Sequence, residues 1–259
     1  MIKVVKIGGN VLDDEEATDR FCRDFVKLGG GKVLVHGGGA LASRLQKQLG
    51  QEPVKIEGRR VTDADTLQAV TMTYAGWINK TLVAKLQALG CNAIGLAGCD
   101  GSVITATRRA PRTLSDGKTV VDYGFVGDVT PMSVNTQFLQ MLVDAGITPV
   151  LCAINHDGHG QLLNTNADTM ASSVAGALEG MLVCCFEMDG VLLDKDDPSS
   201  VIATIDRQYY GELKDSGVVD GGMLPKIDNC FDALAAGASS AVIKNAARLL
   251  EPSGTTITL

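Results

Sequence analysis

What most limits the folds open to this chain is the recurrence of short, β-branched apolar runs that stop at a glycine or polar turn and give way to helical spacing. IKVVKI at the start and KVLVH from Lys32 are two such runs, with Phe21, Phe25 and Leu28 spaced for a helix between them. That is a βαβ opening. Leu41, Leu45 and Leu49, spaced by four, predict a helix directly behind the glycines at 37–39. A longer helix from about Asp63 carries Leu67, Val70, Tyr74, Trp77, Leu82 and Leu86. CNAIGLAG reads as a further buried strand, and the stretch from DGSVITATRRAP to DYGFVGDV as short hairpins forming a flap over a site. The alternation then resumes with a helix around Val134 to Ala145, the strand ITPVLCAI, the helix ADTMASSVAGALEG and the strand MLVCCF. The helix GGMLPKIDNCFDALAAG, the strand SAVIKN and a last strand TTITL complete it. No Pro/Ser linker interrupts the series, so the expected fold is α/β, a three-layer αβα sandwich on a mostly parallel central sheet. Ligands are expected beyond the carboxyl ends of the strands.

A chain of 259 residues can bury its core as one domain of two lobes. With 45% hydrophobic and 20% charged residues and 30 glycines, the composition is globular, and disorder is not expected. The net charge of -7 argues against a nucleic-acid surface, since basic residues are scattered apart from Arg59-Arg60 and Arg108-Arg109. An anionic substrate therefore needs a local positive site. Seven cysteines without any C-x-x-C spacing read as small buried residues of a reducing, cytoplasmic compartment. No export signal or membrane-length apolar run is seen, so neither export nor anchoring is expected.

Three glycine loops stand between a strand and a helix. VLVHGGGA can turn several backbone N–H groups into one concavity, or it can simply turn the chain. There is no G-x-x-x-x-G-K-[ST] and no G-x-G-x-x-G, which counts against a Walker fold and a standard dinucleotide fold. VVKIGGN places Lys6 near the end of a central strand, where a lysine calls for a partner, and VVDGGMLPK sets Lys226 about one turn inside a helix. In LNTNADTM, Asn166 or Asp168 suits an N-cap, while Asn164 lies in an expected loop where its amide can bind an amino-acid ligand. Lys6, Asp168 and Lys226 together would make an acid flanked by two ammonium groups, suited to a phosphoryl group in transfer. HDGHG is read as a glycine turn and no protein metal site is expected, while His36 is read as a strand-end residue fixing its loop.

The ordered series KIGGN, HGGG, GRRVTD, YGFVGDV, LNTNAD, MDGVL and DGGMLPK spans nearly the whole chain and resembles the amino acid kinase family. RVTD combined with NTNAD narrows the resemblance to members acting on N-acylated glutamate. It implies ATP-dependent phosphorylation of the side-chain carboxylate of N-acetyl-L-glutamate, a step of arginine biosynthesis, with ATP and Mg²⁺ as cofactors. N-succinyl-L-glutamate is the nearest alternative, because Arg59 beside Arg60 would suit an extra carboxylate. A non-catalytic amino-acid sensor of the same fold and a dinucleotide oxidoreductase are more remote alternatives.

Carried onto this sequence, the resemblance implies catalytic roles for Lys6, Lys226 and Asp168, and substrate contacts from Gly38, Gly39, Arg60 and Asn164. Nucleotide contacts fall on Gly8, Gly9, Glu187, Asp189, Gly190, Val191, Leu192, Val218, Asp220, Gly221, Gly222 and Met223. The single kinase domain, 1–259, would divide into an acyl-amino-acid lobe over about 1–155 and a nucleotide lobe over about 156–259. FEMDG departs from the small hydroxyl residue and Asp usual before that turn, bringing Phe186 and Glu187 there. The chain opens on its first strand rather than on the helix of hexameric, arginine-inhibited members, so a homodimer insensitive to arginine is expected.

Overall fold

The computed structural model describes residues 1–259, the side chain of Asn10 excepted. Eight strands form the central sheet: β1 Lys3–Ile7, β2 Lys32–His36, β3 Ala93–Leu96, β4 Thr148–Cys152, β5 Met181–Phe186, β6 Thr204–Ile205, β7 Ser240–Asn245 and β8 Thr255–Ile257. Their spatial order is β6-β8-β7-β5-β1-β2-β4-β3. Every pairing is parallel except β7 with β8. The sandwich and its mostly parallel sheet are as expected from the alternation.

Strands β1 to β4, residues 3–152, stand on one side of the β1–β5 seam and strands β5 to β8, residues 181–257, on the other. Lys6 on β1 is in register with Cys184 on β5, at that seam. The reversal of strand order there opens a crevice at the carboxyl ends, the usual ligand position in open α/β sheets.

The helices are α1 Gly9–Asp13, α2 Glu15–Lys27, α3 Gly39–Gln48, α4 Ala64–Thr71, α5 Asn79–Ala88, α6 Thr136–Asp144, α7 Ala167–Ala177, α8 Arg207–Asp215 and α9 Leu224–Ala235. Asp14 caps α2, Asp63 caps α4 and Asn166 caps α7, each side chain accepting from an orphan N–H of the first turn. Helices α7 and α9 pack on each other, α7 on β1 and α9 on β7, while α5 packs on α2, β3 and β4. The antiparallel pair Ile154–His156 and Leu162–Asn164 leads into α7. The short hairpins Thr107–Arg108 with Gly127–Asp128, and Arg112–Thr113 with Val120–Val121, form the expected flap.

Several expectations are corrected. The long helix is interrupted by a π-helical segment, Met72–Ile78, between α4 and α5. Its buried positions Val70, Tyr74, Ile78, Leu82 and Leu86 are all four apart. In a regular α-helix each step of four drifts by about 40°. The wider i→i+5 turn absorbs that drift and keeps the row facing inward. Trp77, assigned to the apolar face by α-helical spacing, consequently points outward and is 70% exposed. Helix α3 forms where the Leu41-Leu45-Leu49 spacing predicts it, but the residues it buries fully are Ala42 and Gln46, while Leu41 is partly buried against the core and Leu49 is exposed. The physical reason is Gln46, which donates to Thr66 Oγ1 and accepts from Arg60, so a polar anchor sets the rotation of the helix. CNAIGLAG is an edge strand with Ile94 partly exposed, and Asn164 closes a strand rather than lying in a loop. Leu82 is 1% exposed, so Leu82→Ala should cost about 2–5 kcal/mol, read as a lower urea midpoint at unchanged slope.

Candidate active site

Lys6 is the penultimate residue of β1, two positions before the Gly8-Gly9 turn, and its ammonium lies 2.7 Å from Asp168 Oδ1. Asp168 sits in the first turn of α7, placed there by Asn166, whose side-chain oxygen accepts from the backbone N–H of Asp168 and Thr169. The N-cap role belongs to Asn166, which leaves the Asp168 carboxylate free to turn inward. Burial alone would lower the pKa of Lys6, but the charge and hydrogen bond of Asp168 outweigh it and raise the amine above its ordinary value. Burial likewise pushes Asp168 upward, and the attraction of Lys6, with a smaller contribution from Lys226, brings the carboxyl below its usual range. Both groups are charged at neutral pH.

A cavity of about 230 Å³ opens on this pair. Gly8, Gly9, Gly37, Gly38 and Gly39 line it from the ends of β1 and β2, and Arg60, Asn164 and Asp168 from across the crevice. Gly38 has φ +146, and a Cβ there would lie 2.0 Å from Ile78 Cδ1, so only glycine lets the loop approach the π-helical segment. Arg60 donates through Nη2 to Gly39 O at 2.7 Å and to Ser43 Oγ at 2.8 Å, and through Nη1 to Gln46 Oε1. Its partners are neutral, so its charge stays available to a ligand. Asn164 donates to Thr62 Oγ1 at 3.1 Å, which fixes its amide with the oxygen end unspent.

Lys55, Arg59, Tyr74 and Arg109 also line the cavity, and sequence reasoning did not single out Lys55, Tyr74 or Arg109 for the site. Helical spacing assigns Tyr74 to the core, and it is nearly so at 6% exposure, with its hydroxyl against Arg60. Lys55 and Arg109 arrive on hairpins that no local pattern aims at β1. Arg109 is balanced by a bidentate contact with Asp128, whereas among the described residues Lys55, Arg59 and Arg60 have no carboxylate partner. Burial, then the nearby Arg109 and Arg112, lower the pKa of Arg59, the mark of crowded positive charge.

Apart from Gly8 and Gly9, the residues assigned to the nucleotide do not line this cavity. Glu187 and Asp189 follow β5, and the Asp189 carboxylate takes Asn245 Nδ2 at 2.8 Å and Arg248 Nη1 at 2.7 Å. Val191 and Leu192 have buried side chains, and a Cβ on Gly190 would lie 2.7 Å from Thr255 Oγ1, so this turn is packed into the fold. Val218 is half-buried, Asp220 is exposed and pairs with Lys195, and Gly221–Met223 make a single turn leading into α9. Lys226, in the first turn of α9, donates to Gly222 O at 3.2 Å and stands 5.7 Å from the Phe186 ring centroid. The unusual Phe186 therefore supplies an aromatic face under Lys226. Because Lys226 also lowers the pKa of Asp168, the two lysines address that carboxylate from opposite halves of the chain.

His36 is fully buried, and burial pulls its pKa down to about 4, so it is neutral at physiological pH and no candidate base. Among the described residues no group of three or more His, Cys, Asp or Glu side chains could hold a metal ion.

The model of the amino acid kinase family matches residues 1–245. This chain belongs to that family. It is 50% identical over 252 residues to a protein of Cytophaga hutchinsonii named acetylglutamate kinase, covering 96% of this chain and 92% of the relative. A Phocaeicola vulgatus protein of the same name is 46% identical over 260 residues, covering 99% of this chain and 98% of the relative. Among solved structures, a Streptococcus mutans protein superposes with a TM-score of 0.77 at 28% identity, covering 99% of this chain and 98% of that one.

Within this family member, the sign of the ion pair's pH dependence follows from the two shifts. The lowered Asp168 contributes stability above its unfolded pKa of about 3.9, lost as pH falls through the folded value. The raised Lys6 contributes fully below its unfolded pKa of about 10.4, lost as pH rises through the folded value. Asp168→Asn leaves burial to act on Lys6 with less opposition, so Lys6 should titrate below its wild-type value, as read by ¹⁵N NMR; an unchanged pKa would contradict the pairing.

Proposed function

We propose that the chain is an ATP-dependent kinase of the side-chain carboxylate of N-acetyl-L-glutamate, forming N-acetyl-L-glutamyl 5-phosphate for arginine biosynthesis. One observation carries the chemistry: a buried Lys6–Asp168 pair faces two glycine loops in a cavity whose only lining carboxylate, among the described residues, is Asp168. The names of the relatives agree with that reading.

The substrate carboxylate, with an ordinary pKa of about 4.3, is ionised at neutral pH and attacks the γ-phosphorus without a general base. A P–O bond forms to it as the bond to the ADP oxygen breaks, and no proton moves. The difficulty is repulsion between two anions. Lys6 and Lys226 offset the charge spread over the phosphoryl oxygens, and Asp168 orients the lysines and keeps them protonated. Gly38 and Gly39 donate backbone N–H groups where carboxylate and phosphoryl meet, while Arg60 and Asn164 hold the acyl amino acid. Gly8, Gly9, residues 187 and 189–192, and residues 218 and 220–223 belong on this reading to the nucleotide side. Mg²⁺ fits this residue set as an ion carried on the nucleotide phosphates, because Asp168 is committed to Lys6 and Mg²⁺ keeps waters and substrate phosphates as ligands. When bound it supplies further screening of phosphate charge.

On this reading the acyl-amino-acid lobe takes about 1–155 and the nucleotide lobe about 156–259, a division supported by the strand order on either side of the β1–β5 seam. Five buried free thiols among seven cysteines suit the reducing cytoplasm, and among the described residues no helix is long and apolar enough to cross a membrane. A second reading, N-succinyl-L-glutamate as substrate, is favoured by Lys55 and Arg59, which line the cavity without carboxylate partners beyond the need of two substrate carboxylates. A homodimer is supported by three exposed apolar side chains, Met72 and Trp77 on the π-helical segment and Ile94 on the open edge strand β3.

Hydroxylamine trapping of the acyl phosphate with N-acetyl-, N-succinyl- and free glutamate tests the reaction, and preference for free glutamate would reject it. Lys6→Ala should lose about 2 to 4 kcal/mol of transition-state stabilisation, seen in kcat; a near-normal rate would overturn the mechanism. Trp77 is the single tryptophan, so its emission should shift to the red on dilution as a dimer parts, in step with the mass by size exclusion. A monomer at all concentrations would reject the dimer.

A further inference from the structure

Each carbonyl of the Gly37-Gly38-Gly39 loop is held from behind. Gly38 O accepts from Ala42 N at 3.0 Å as α3 begins, and Gly39 O accepts from Arg60 Nη2 at 2.7 Å and from Ser43 Oγ at 2.9 Å. Gly37 O precedes the helix and has a different partner, His36 Nδ1, at 2.9 Å. A carbonyl oxygen can only accept, so Nδ1 carries the proton. On the other edge of the ring Asn79 Nδ2 donates to His36 Nε2 at 3.0 Å and to Val150 O at 2.9 Å, while Asn79 Oδ1 accepts from Lys80 Nζ. The amide is therefore oriented from three sides, and the imidazole is the neutral Nδ1–H tautomer.

The Gly37 carbonyl and the Gly38 N–H belong to one planar trans peptide and point in opposite directions. Holding the oxygen down aims the N–H away from His36. Both torsions that would flip this plane, ψ of Gly37 and φ of Gly38, belong to glycines, which resist rotation least. Among the described residues neither Gly38 N–H nor Gly39 N–H meets a protein acceptor. The Gly39 N–H is oriented by the start of α3; the Gly38 N–H has no such support.

We propose that His36 is a positioning residue for phosphoryl transfer: its Nδ1–H locks the Gly37–Gly38 peptide so that the Gly38 N–H, and not the Gly37 carbonyl, faces the reacting anions. The inference rests on the kinase reading for its consequence in rate, while the lock itself can be observed without turnover. His36→Asn keeps an N–H donor at the position of Nδ1, His36→Gln moves it to that of Nε2, and His36→Leu removes it. With the three variants folded by circular dichroism, His36→Leu and His36→Gln should lower kcat by about 10²-fold, as for loss of one oxyanion donor, and His36→Asn should recover most of it. In ¹⁵N NMR at pH 7 the wild-type ring should show a protonated Nδ1 and a bare Nε2. The Gly38 amide should shift on titration with inorganic phosphate in wild type and His36→Asn, but not in His36→Leu. A protonated Nε2, a phosphate response of Gly38 that survives in His36→Leu, or His36→Gln recovering as well as His36→Asn would overturn the proposal. A wild type inactive on every N-acylglutamate would reject the kinase reading instead, and the tautomer and phosphate measurements would still decide the lock.

Discussion

The ion pair between Lys6 and Asp168 is the constraint on which the rest of the arrangement depends. It joins the two halves of the chain, since Lys6 stands on β1 and Asp168 on α7. A lone ammonium on a central strand would be prohibitively desolvated, and removing one partner of a buried pair leaves the other uncompensated. Holding both charges thus requires β1 to lie beside β5 and the first turn of α7 to dock over the strand ends. The glycines at positions 8, 9 and 37–39 line the cavity beside this pair, and a Cβ on Gly8 would stand 3.5 Å from the Lys6 ammonium.

Around that pair the charges are treated in two ways. Arg109 spends its guanidinium on Asp128, and Lys226 rests over Phe186 with its amine on Gly222 O. Arg60 is instead held rigid by neutral oxygens from Gly39, Ser43 and Gln46. A neutral cage fixes geometry without cancelling charge, so an arginine in such a cage acts on whatever anion arrives. On the proposed reading, this local positive charge is what would draw an anionic substrate to a chain of net charge -7.

The strands and the lysine at the end of β1 were legible because β-branched runs and glycine turns are local signals, and so was the order of helices between them. Other features were not. Trp77 faces water because a π-helical turn re-phases the helix, and nothing in the α-helical repeat announces it. Helix α3 turns Gln46 inward to Arg60 and Thr66, partners later in the chain that its leucine spacing does not announce. Helix α8 was overlooked because its charged sequence RQYYGELKD buries only Tyr210 and Leu213. Lys55 and Arg109 were unreadable as site residues since only hairpin geometry brings them to the cavity.

By itself the sequence determined the alternation of strand and helix, the places where glycine replaces a side chain, and the identity of the charged groups, because these depend on neighbours a few residues away. Only the tertiary structure decided which of those groups meet. It pairs Lys6 with Asp168, gives Arg60 its neutral cage, and turns His36 into a buried donor to its own loop. Each of these contacts joins segments whose proximity follows from sheet order and helix docking, or needs a partner such as Asn79 to fix a tautomer, and neither is encoded in local spacing.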